Sequence, residues 1–291
     1  MTEGARLLVV HTWADLRPAL RPGPRAVVMT MGALHQGHLD LVARAQQWRA
    51  AVGGQVVVTV FVNPLQFGPE EDFEAYPRTL EADVAALAGR GVDVVYAPSV
   101  VDLYPAGPPL VRLNPGPVGE VFEGAIRPGH FAGVLTVVHK LLGRTQPTVA
   151  LFGQKDAQQL ALVRQMVADL DLAVRIVAVP IRREADGLAL SSRNRYLSAP
   201  QRTAALALPR AVAAGAAAAA AGAGVTTVRQ AAWDALGNAS SDGFETDYLE
   251  VVDPSDFTVL GQAWRGPALL IGAIRVGTTR LIDNAPLTIT G

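Results

Sequence analysis

The chain has 291 residues, half of them hydrophobic, with a formal net charge of −1 and no cysteine. That balance supplies a sizeable core, excludes disulfides and thiolate ligands, and offers no basic field for nucleic acid. No apolar run approaches the ~20 residues that span a bilayer, and residues 1–10 lack the apolar stretch of a signal peptide, so the composition predicts a soluble cytoplasmic protein with no membrane partner.

In chain order, Ala26-Val27-Val28-Met29-Thr30 reads as a buried strand. Met31-Gly32-Ala33-Leu34-His35-Gln36-Gly37-His38 follows, and Leu39, Val42 and Ala43 continue it at helical spacing. His35-Gln36-Gly37-His38 therefore falls where strand gives way to helix. A helix start presents unpaired N–H groups and the positive end of the macrodipole, which makes it an anion site. Gly37 lets the backbone come close to a ligand, and two imidazoles add donors facing the same spot. A triphosphate whose charge rises during transfer fits this chemistry. Capping or packing histidines are the plainer reading, and a metal site is another. Metalloprotease-like helices, however, space the histidines four apart with an adjacent Glu, whereas Gln36 and Gly37 stand between these two.

Further strand-like runs lie at 55–61, 92–96, 148–152 and 173–179. Helical spacing joins Leu80, Val84 and Leu87, then residues 132–142, then Leu160, Val163, Val167 and Leu170, and residues 105–119 form a Pro/Gly-rich loop. Repeated βα units predict an α/β fold, a Rossmann-like parallel sheet with helices on both faces. Ligands of such sheets bind beyond the C-terminal strand ends. Residues 35–38, 63–67 and 153–156 all fall at such ends.

From residue 181 the pattern changes. Ser198-Ala199-Pro200-Gln201 reads as a capping box with Pro near the helix start. Residues 204–224, mostly Ala and Gly, read as a compositionally biased helix and a loose connection. A helix at 225–236 and strands at 246–252, 268–274 and 279–284 follow. The expected organisation is a catalytic domain over 1–180 and a smaller C-terminal α+β domain over 181–291.

Two more segments carry chemistry. Gly153-Gln154-Lys155-Asp156 follows a strand and opens a helix, with Lys155 a point charge suited to phosphate and Asp156 able to cap the helix or hold a ribose hydroxyl. Leu190-Ser191-Ser192-Arg193-Asn194 sits in a polar link between the two domains, where two hydroxyls followed by a guanidinium can hold a triphosphate. Standing alone, the first is equally a surface Lys beside a capping Asp, and the second a helix cap.

Together these residues resemble the adenylyltransferase superfamily with its His-x-Gly-His signature. Phe61-Val62-Asn63-Pro64-Leu65-Gln66-Phe67, Tyr76-Pro77-Arg78-Thr79, Arg127-Pro128-Gly129-His130-Phe131-Ala132-Gly133-Val134 and the stretches 153–159 and 186–196 narrow the resemblance to the pantoate–β-alanine ligase (pantothenate synthetase) family, over about residues 25–200. The resemblance implies that pantoate attacks the α-phosphorus of ATP to give an enclosed adenylate, which the amine of β-alanine then opens. It implies His38, His35, Lys155 and Arg193 as catalytic residues, with His38 the proton donor. ATP would lie along Met31, Gly32, Ala33, Leu34, His35, Gln36, Gly37 and His38, along Gly153, Gln154, Lys155 and Asp156, beside Arg182 at the adenine, and along Leu190, Ser191, Ser192 and Arg193. Gln66 and Gln159 would grip pantoate, with Asn63, Arg127 and His130 behind them. The resemblance further implies Mg2+ carried mainly on phosphate oxygens, with Asp83 as the nearby carboxylate, and a homodimer; the place of residues 191–193 in the link between the domains predicts that the C-terminal domain acts as a lid.

The chain departs from the family pattern at Gln36 and Gln154, where Glu is common, at Ala157, where an aromatic is common, and at Ala82, where some relatives carry a carboxylate. Two rivals stay open. A related adenylyltransferase acting on a phosphate ester calls for extra basic residues at the acceptor. A non-catalytic nucleotide sensor needs affinity for ATP but not both histidines, Lys155 and Arg193 together.

Overall fold

The computed structural model describes residues 7–68, 73–74, 76–237 and 243–291. The chain divides into two compact units, one joining Met1–Gly153 to Leu162–Val179 and the other joining Gln154–Ala161 to Pro180–Gly291.

The first unit is built on a six-stranded parallel sheet: β1 (Leu8–Val10), β2 (Arg25–Thr30), β3 (Gln55–Val60), β4 (Val94–Tyr96), β5 (Val149–Gly153) and β6 (Arg175–Val179), in the order β1-β4-β3-β2-β5-β6. Central strands of such a sheet are covered on both faces, and the Val- and Ala-rich β2 and β3 are buried accordingly. Helices α1 (Trp13–Ala19), α2 (Gln36–Val52), α3 (Leu80–Leu87), α4 (Val100–Leu103), α5 (Glu123–Ile126) and α6 (His130–Thr145) make the connections, and α7 (Ala157–Asp169) joins β5 to β6. The winding runs from β2 through β3 to β4 in one direction and from β5 to β6 in the other. Right-handed crossovers made in opposite directions put α2 and α3 on one face and α7 on the other. Leu41, Val42 and Ala45 of α2 and Leu87 of α3 close the first face over Val28, Val58 and Leu151. The order therefore reverses between β2 and β5, the topological switch point where nucleotides bind in doubly wound sheets.

Two features of this unit escape sequence reading. β1 is a three-residue edge strand beside β4, too short to show a period. The four-residue α4 and α5 likewise carry no repeat of their own.

The second unit contains α8 (Ala199–Ala205), α9 (Ala207–Ala220), α10 (Val225–Leu236) and an antiparallel sheet of β7 (Glu245–Val252), β8 (Gly266–Val276) and β9 (Thr279–Ile289) in that order. The capping box at Ser198 and Gln201 forms as expected. The Ala-rich tract forms a helix, as expected, and the connection after it is short, since α10 begins at Val225. Leu208, Ala211 and Val212 of α9 pack with Val228, Ala232 and Leu236 of α10 and with Leu270 and Ile274 of β8. By length and composition the helical stretch Ala199–Ala220 could cross a membrane, which corrects the expectation that no such run exists; its apolar face is spent on this core.

Gln154–Ala161, which an unbroken 1–180 domain would contain, groups with the second unit. Asn284 of β9 donates from Nδ2 to the carbonyls of Gln154 and Lys155, at 2.9 and 3.0 Å.

Candidate active site

In the first unit, the C-terminal ends of β3, β2 and β5 lie side by side, so the segments after them share one edge of the sheet. After β2 the chain turns sharply. Gly32 (φ +87°) and Ala33 (φ +51°) are both left-handed, and a Cβ built on Gly32 would stand 3.0 Å from Asp83 Oδ2. Only glycine fits there. The turn aims two successive amides at one carboxylate: Ala33 N–H donates to Asp83 Oδ2 (3.0 Å) and Leu34 N–H to Oδ1 (2.7 Å). Thr79 Oγ1 donates to the same Oδ2, and Asp83 is 3% exposed. Asp83, the carboxylate nominated for Mg2+, is thus buried with both oxygens committed to the loop. In this structure it anchors the loop through both oxygens.

His35 is the N-cap of α2, and the two histidines complete a capping box. Gly37 N–H donates to His35 Nδ1 and His35 N–H to His38 Nδ1, each at 3.2 Å. A ring nitrogen that accepts cannot carry a proton, so both neutral imidazoles hold theirs on Nε2. The rings lie 4.1 Å apart at 34°. The strand-to-helix signature therefore yields two Nε2–H donors at the positive end of a helix. Gln36 is exposed and its amide turns to Asp40, so it contributes nothing to this pair.

Beyond β3, Asn63 caps the 3₁₀ turn Pro64–Gln66. Its Nδ2 donates to Gln66 Oε1 (3.3 Å) and Gly133 O (3.1 Å), while its Oδ1 accepts from Leu65 N–H (3.3 Å) and from Tyr104 Oη (2.9 Å). Burial pushes the Tyr104 phenol well above its ordinary pKa, so it remains a donor. The network is directional. With Gln66 Oε1 turned to Asn63, Gln66 presents Nε2–H outward, toward Met31 Sδ at 2.9 Å. α6 reaches this turn only because Gly133 has no side chain, since a Cβ there would stand 2.2 Å from Leu65 O. Arg127 and His130 buttress it from behind: His130 Nδ1 donates to Gln66 O (2.9 Å), and its Nε2 faces Arg127 Nη1 at 3.0 Å. Both residues hold the Gln66 backbone in place.

In the second unit, Lys155 Nζ lies 3.8 Å from Asp156 Oδ1, a loose pair at the entry to α7. Gln159 is half-buried one turn into that helix. Arg182 to Leu190 fold back on themselves, with Leu190 N–H on Arg182 O and Glu184 N–H on Leu188 O. Ser191 caps the 3₁₀ turn that follows by accepting from Arg193 N–H. Buried Asn194 pins the turn, donating from Nδ2 to Glu184 Oε1 (2.5 Å) and Ala189 O (3.1 Å). Arg202 reaches from α8 to Glu184 (2.6 Å) and Asp186 (2.8 Å). Partial desolvation opposes ionisation of Asp186, yet the Leu188 N–H and the Arg202 guanidinium hold its carboxyl below the ordinary range. Ser192 is half-buried and Arg193 is exposed.

Each unit thus presents its own group of site residues. The first holds Met31 to His38, Asn63, Gln66, Asp83, Arg127, His130 and Gly153; the second holds Gln154, Lys155, Asp156, Gln159, Arg182 and Leu190 to Arg193. Sequence reading missed Tyr104, Asp283 and Asn284, whose partners lie far away along the chain.

A Rossmann-like sheet with a His-x-Gly-His helix start at its switch point defines a nucleotide-binding protein of the α/β class. Comparison with known proteins narrows this. The family profile of pantoate-beta-alanine ligase matches residues 8–286, and the chain belongs to that family. It is 54% identical to pantothenate synthetase of Acidothermus cellulolyticus over 97% of this chain and 92% of that protein. It is 49% identical to pantothenate synthetase of Streptomyces avermitilis over 96% and 97%. The crystal structure of pantothenate synthetase from Thermus thermophilus superposes with a TM-score of 0.88 at 47% identity, covering 96% of this chain and 98% of that one. Pantoate-beta-alanine ligase from Francisella tularensis, complexed with beta-gamma ATP and beta-alanine, gives 0.75 at 32% identity over 96% and 97%.

Proposed function

We propose that this chain condenses pantoate with β-alanine at the expense of ATP, forming pantothenate, AMP and pyrophosphate through a pantoyl adenylate. One observation carries the reading: a double-histidine helix start shares its sheet edge with an amide whose donor end is fixed outward. The first suits a triphosphate and the second a hydroxy acid.

In this reading the Nε2–H donors of His35 and His38 meet phosphate oxygens, and His38 supplies a proton to the departing pyrophosphate. Lys155, Ser191, Ser192 and Arg193 hold the triphosphate as its charge grows. Gly153 and Asp156 contact the nucleoside, with Gln154 and Leu190 beside it and the Arg182 backbone bordering the adenine. Gln66 and Gln159 orient pantoate so that its carboxylate lies in line with the α-phosphorus. Magnesium is assigned to the phosphate oxygens, as is usual for this ion. Asp83 holds the loop amides of Ala33 and Leu34. The protein is proposed to work in the cytoplasm as a homodimer.

ATP and pantoate without β-alanine should release pyrophosphate up to about one equivalent per site and then stop, because the adenylate stays enclosed. Rapid-quench measurement of pyrophosphate tests this. Release only after β-alanine is added would overturn the two-step order, and no release under either condition would overturn the ligase reading.

Tyr104→Phe removes one donor from buried Asn63. Stability should fall by about 1 kcal/mol in urea unfolding. The KM for pantoate should rise severalfold while that for ATP stays unchanged, since the loosened amide is Gln66. An equal rise in both would contradict a directional role for the network.

A further inference from the structure

The segment bearing Lys155 is held from the far end of the sequence. Asn284 lies on β9 opposite Ile271 of β8, on the sheet face away from the core formed with α9 and α10, and is only 4% exposed. Both protons of its side-chain amide are spent on consecutive carbonyls, Gln154 O at 2.9 Å and Lys155 O at 3.0 Å. Its neighbour Asp283 is 2% exposed and grips Arg183 with both oxygens, at 2.6 and 2.9 Å, while accepting the Asn284 backbone N–H at 2.8 Å. One dipeptide of β9 therefore fixes two stretches of the candidate nucleotide site, the backbone at Lys155 and the strand beside Arg182.

A trans peptide points its N–H opposite to its C=O. With the carbonyls of Gln154 and Lys155 both turned to Asn284, the N–H groups of Lys155 and Asp156 turn the other way. No hydrophobic contact could orient two successive peptide planes in this manner; a primary amide with two donors can.

From this geometry we infer that Asn284 is a positioning residue for the adenylation step. It acts through the Gln154–Lys155 backbone to set where the Lys155 ammonium stands against the triphosphate. The inference rests on the ligase reading above.

The test is a double-mutant cycle on the full-length chain. Asn284→Asp keeps the shape but replaces two donors with oxygens that repel both carbonyls. Asn284→Ser retains one donor and covers the case in which the aspartate variant does not fold. Binding of a non-hydrolysable ATP analogue is titrated for each, alone and combined with Lys155→Ala, alongside steady-state KM values for the three substrates. Asn284→Asp should weaken analogue binding about tenfold or more in the wild-type background, Asn284→Ser less, and either by under about twofold once Lys155 is gone, because coupled residues are not additive. The KM for β-alanine should stay within about twofold. The same factor in both backgrounds, or a shared rise in all three KM values, would overturn the inference by showing a general structural role. Wild-type protein that releases no pyrophosphate from ATP and pantoate, with or without β-alanine, would overturn the ligase reading instead, while the analogue titrations still decide the coupling of Asn284 to Lys155.

Discussion

His38→Ala should slow adenylate formation by about two orders of magnitude or more, the scale on which a single transition-state donor acts. The residue has two jobs that must be separated. Its Nδ1 accepts the His35 N–H and so caps α2, and its Nε2–H is the donor proposed for phosphate. Loss of a cap costs about 1 kcal/mol of stability and leaves chemistry alone. His38→Asn can restore the cap through its amide oxygen without reproducing the imidazole donor. The alanine variant should therefore be slow and slightly less stable, and the asparagine variant slow with its stability recovered. Single-turnover pyrophosphate release at wild-type speed in either would remove His38 from the chemistry.

Asp83→Asn should also be damaging, by a smaller factor, although it touches no substrate. The carboxylate accepts from Ala33 and Leu34 at once; an amide offers one acceptor and one donor, so a second N–H is set against one of the two backbone N–H groups. Leaving a buried donor unmatched costs about 1–3 kcal/mol. That cost falls on the left-handed turn at Gly32 and Ala33, which delivers the chain to His35. Adenylate formation should drop by about tenfold or more, in keeping with the sensitivity of rates to misplacement of reacting groups. Magnesium titration separates anchor from ligand. A rate that stays low at every magnesium concentration supports the anchor, and rescue to the wild-type rate by excess magnesium would restore Asp83 as a metal ligand.

Much of this protein is legible before folding because its information is local. β2, β3, β5 and β6 announce themselves as Val-rich runs, and the Ser198–Gln201 capping box is a four-residue pattern. The helix start at His35 shows for the same reason: strand, glycine and helix spacing stand in one stretch. What stays hidden is long-range. Asp83 finds its partners 49 and 50 residues away, and nothing in Glu81-Ala82-Asp83 distinguishes an acceptor of backbone amides from an acid facing solvent. Tyr104 reads as an aromatic beside a Pro/Gly-rich loop until its hydroxyl meets Asn63, 41 residues earlier. Asp283 and Asn284 are the plainest case, since polar residues near the end of a strand usually mark an exposed edge; here they are buried against Arg183 and the Lys155 backbone. The Ala-rich tract misleads in the opposite sense, because low complexity looks like slack while small side chains are what let α9 lie close to β8. A Cβ on Gly215 would come within 2.5 Å of Leu270.

The bond between Asn284 and the Lys155 carbonyl spans 129 positions of sequence, and that separation gives the site a birth order. At about 5–20 residues per second, a ribosome needs roughly 6–26 s after placing Lys155 before it adds the residue that orients it. Throughout that interval the nascent polypeptide has every element needed to form its histidine-capped helix, yet lacks the clamp on its lysine. On the role inferred for Asn284, the clamp on Lys155 forms only after β9 has been made and paired, and a growing chain stalled short of that point carries the histidine-capped helix without it.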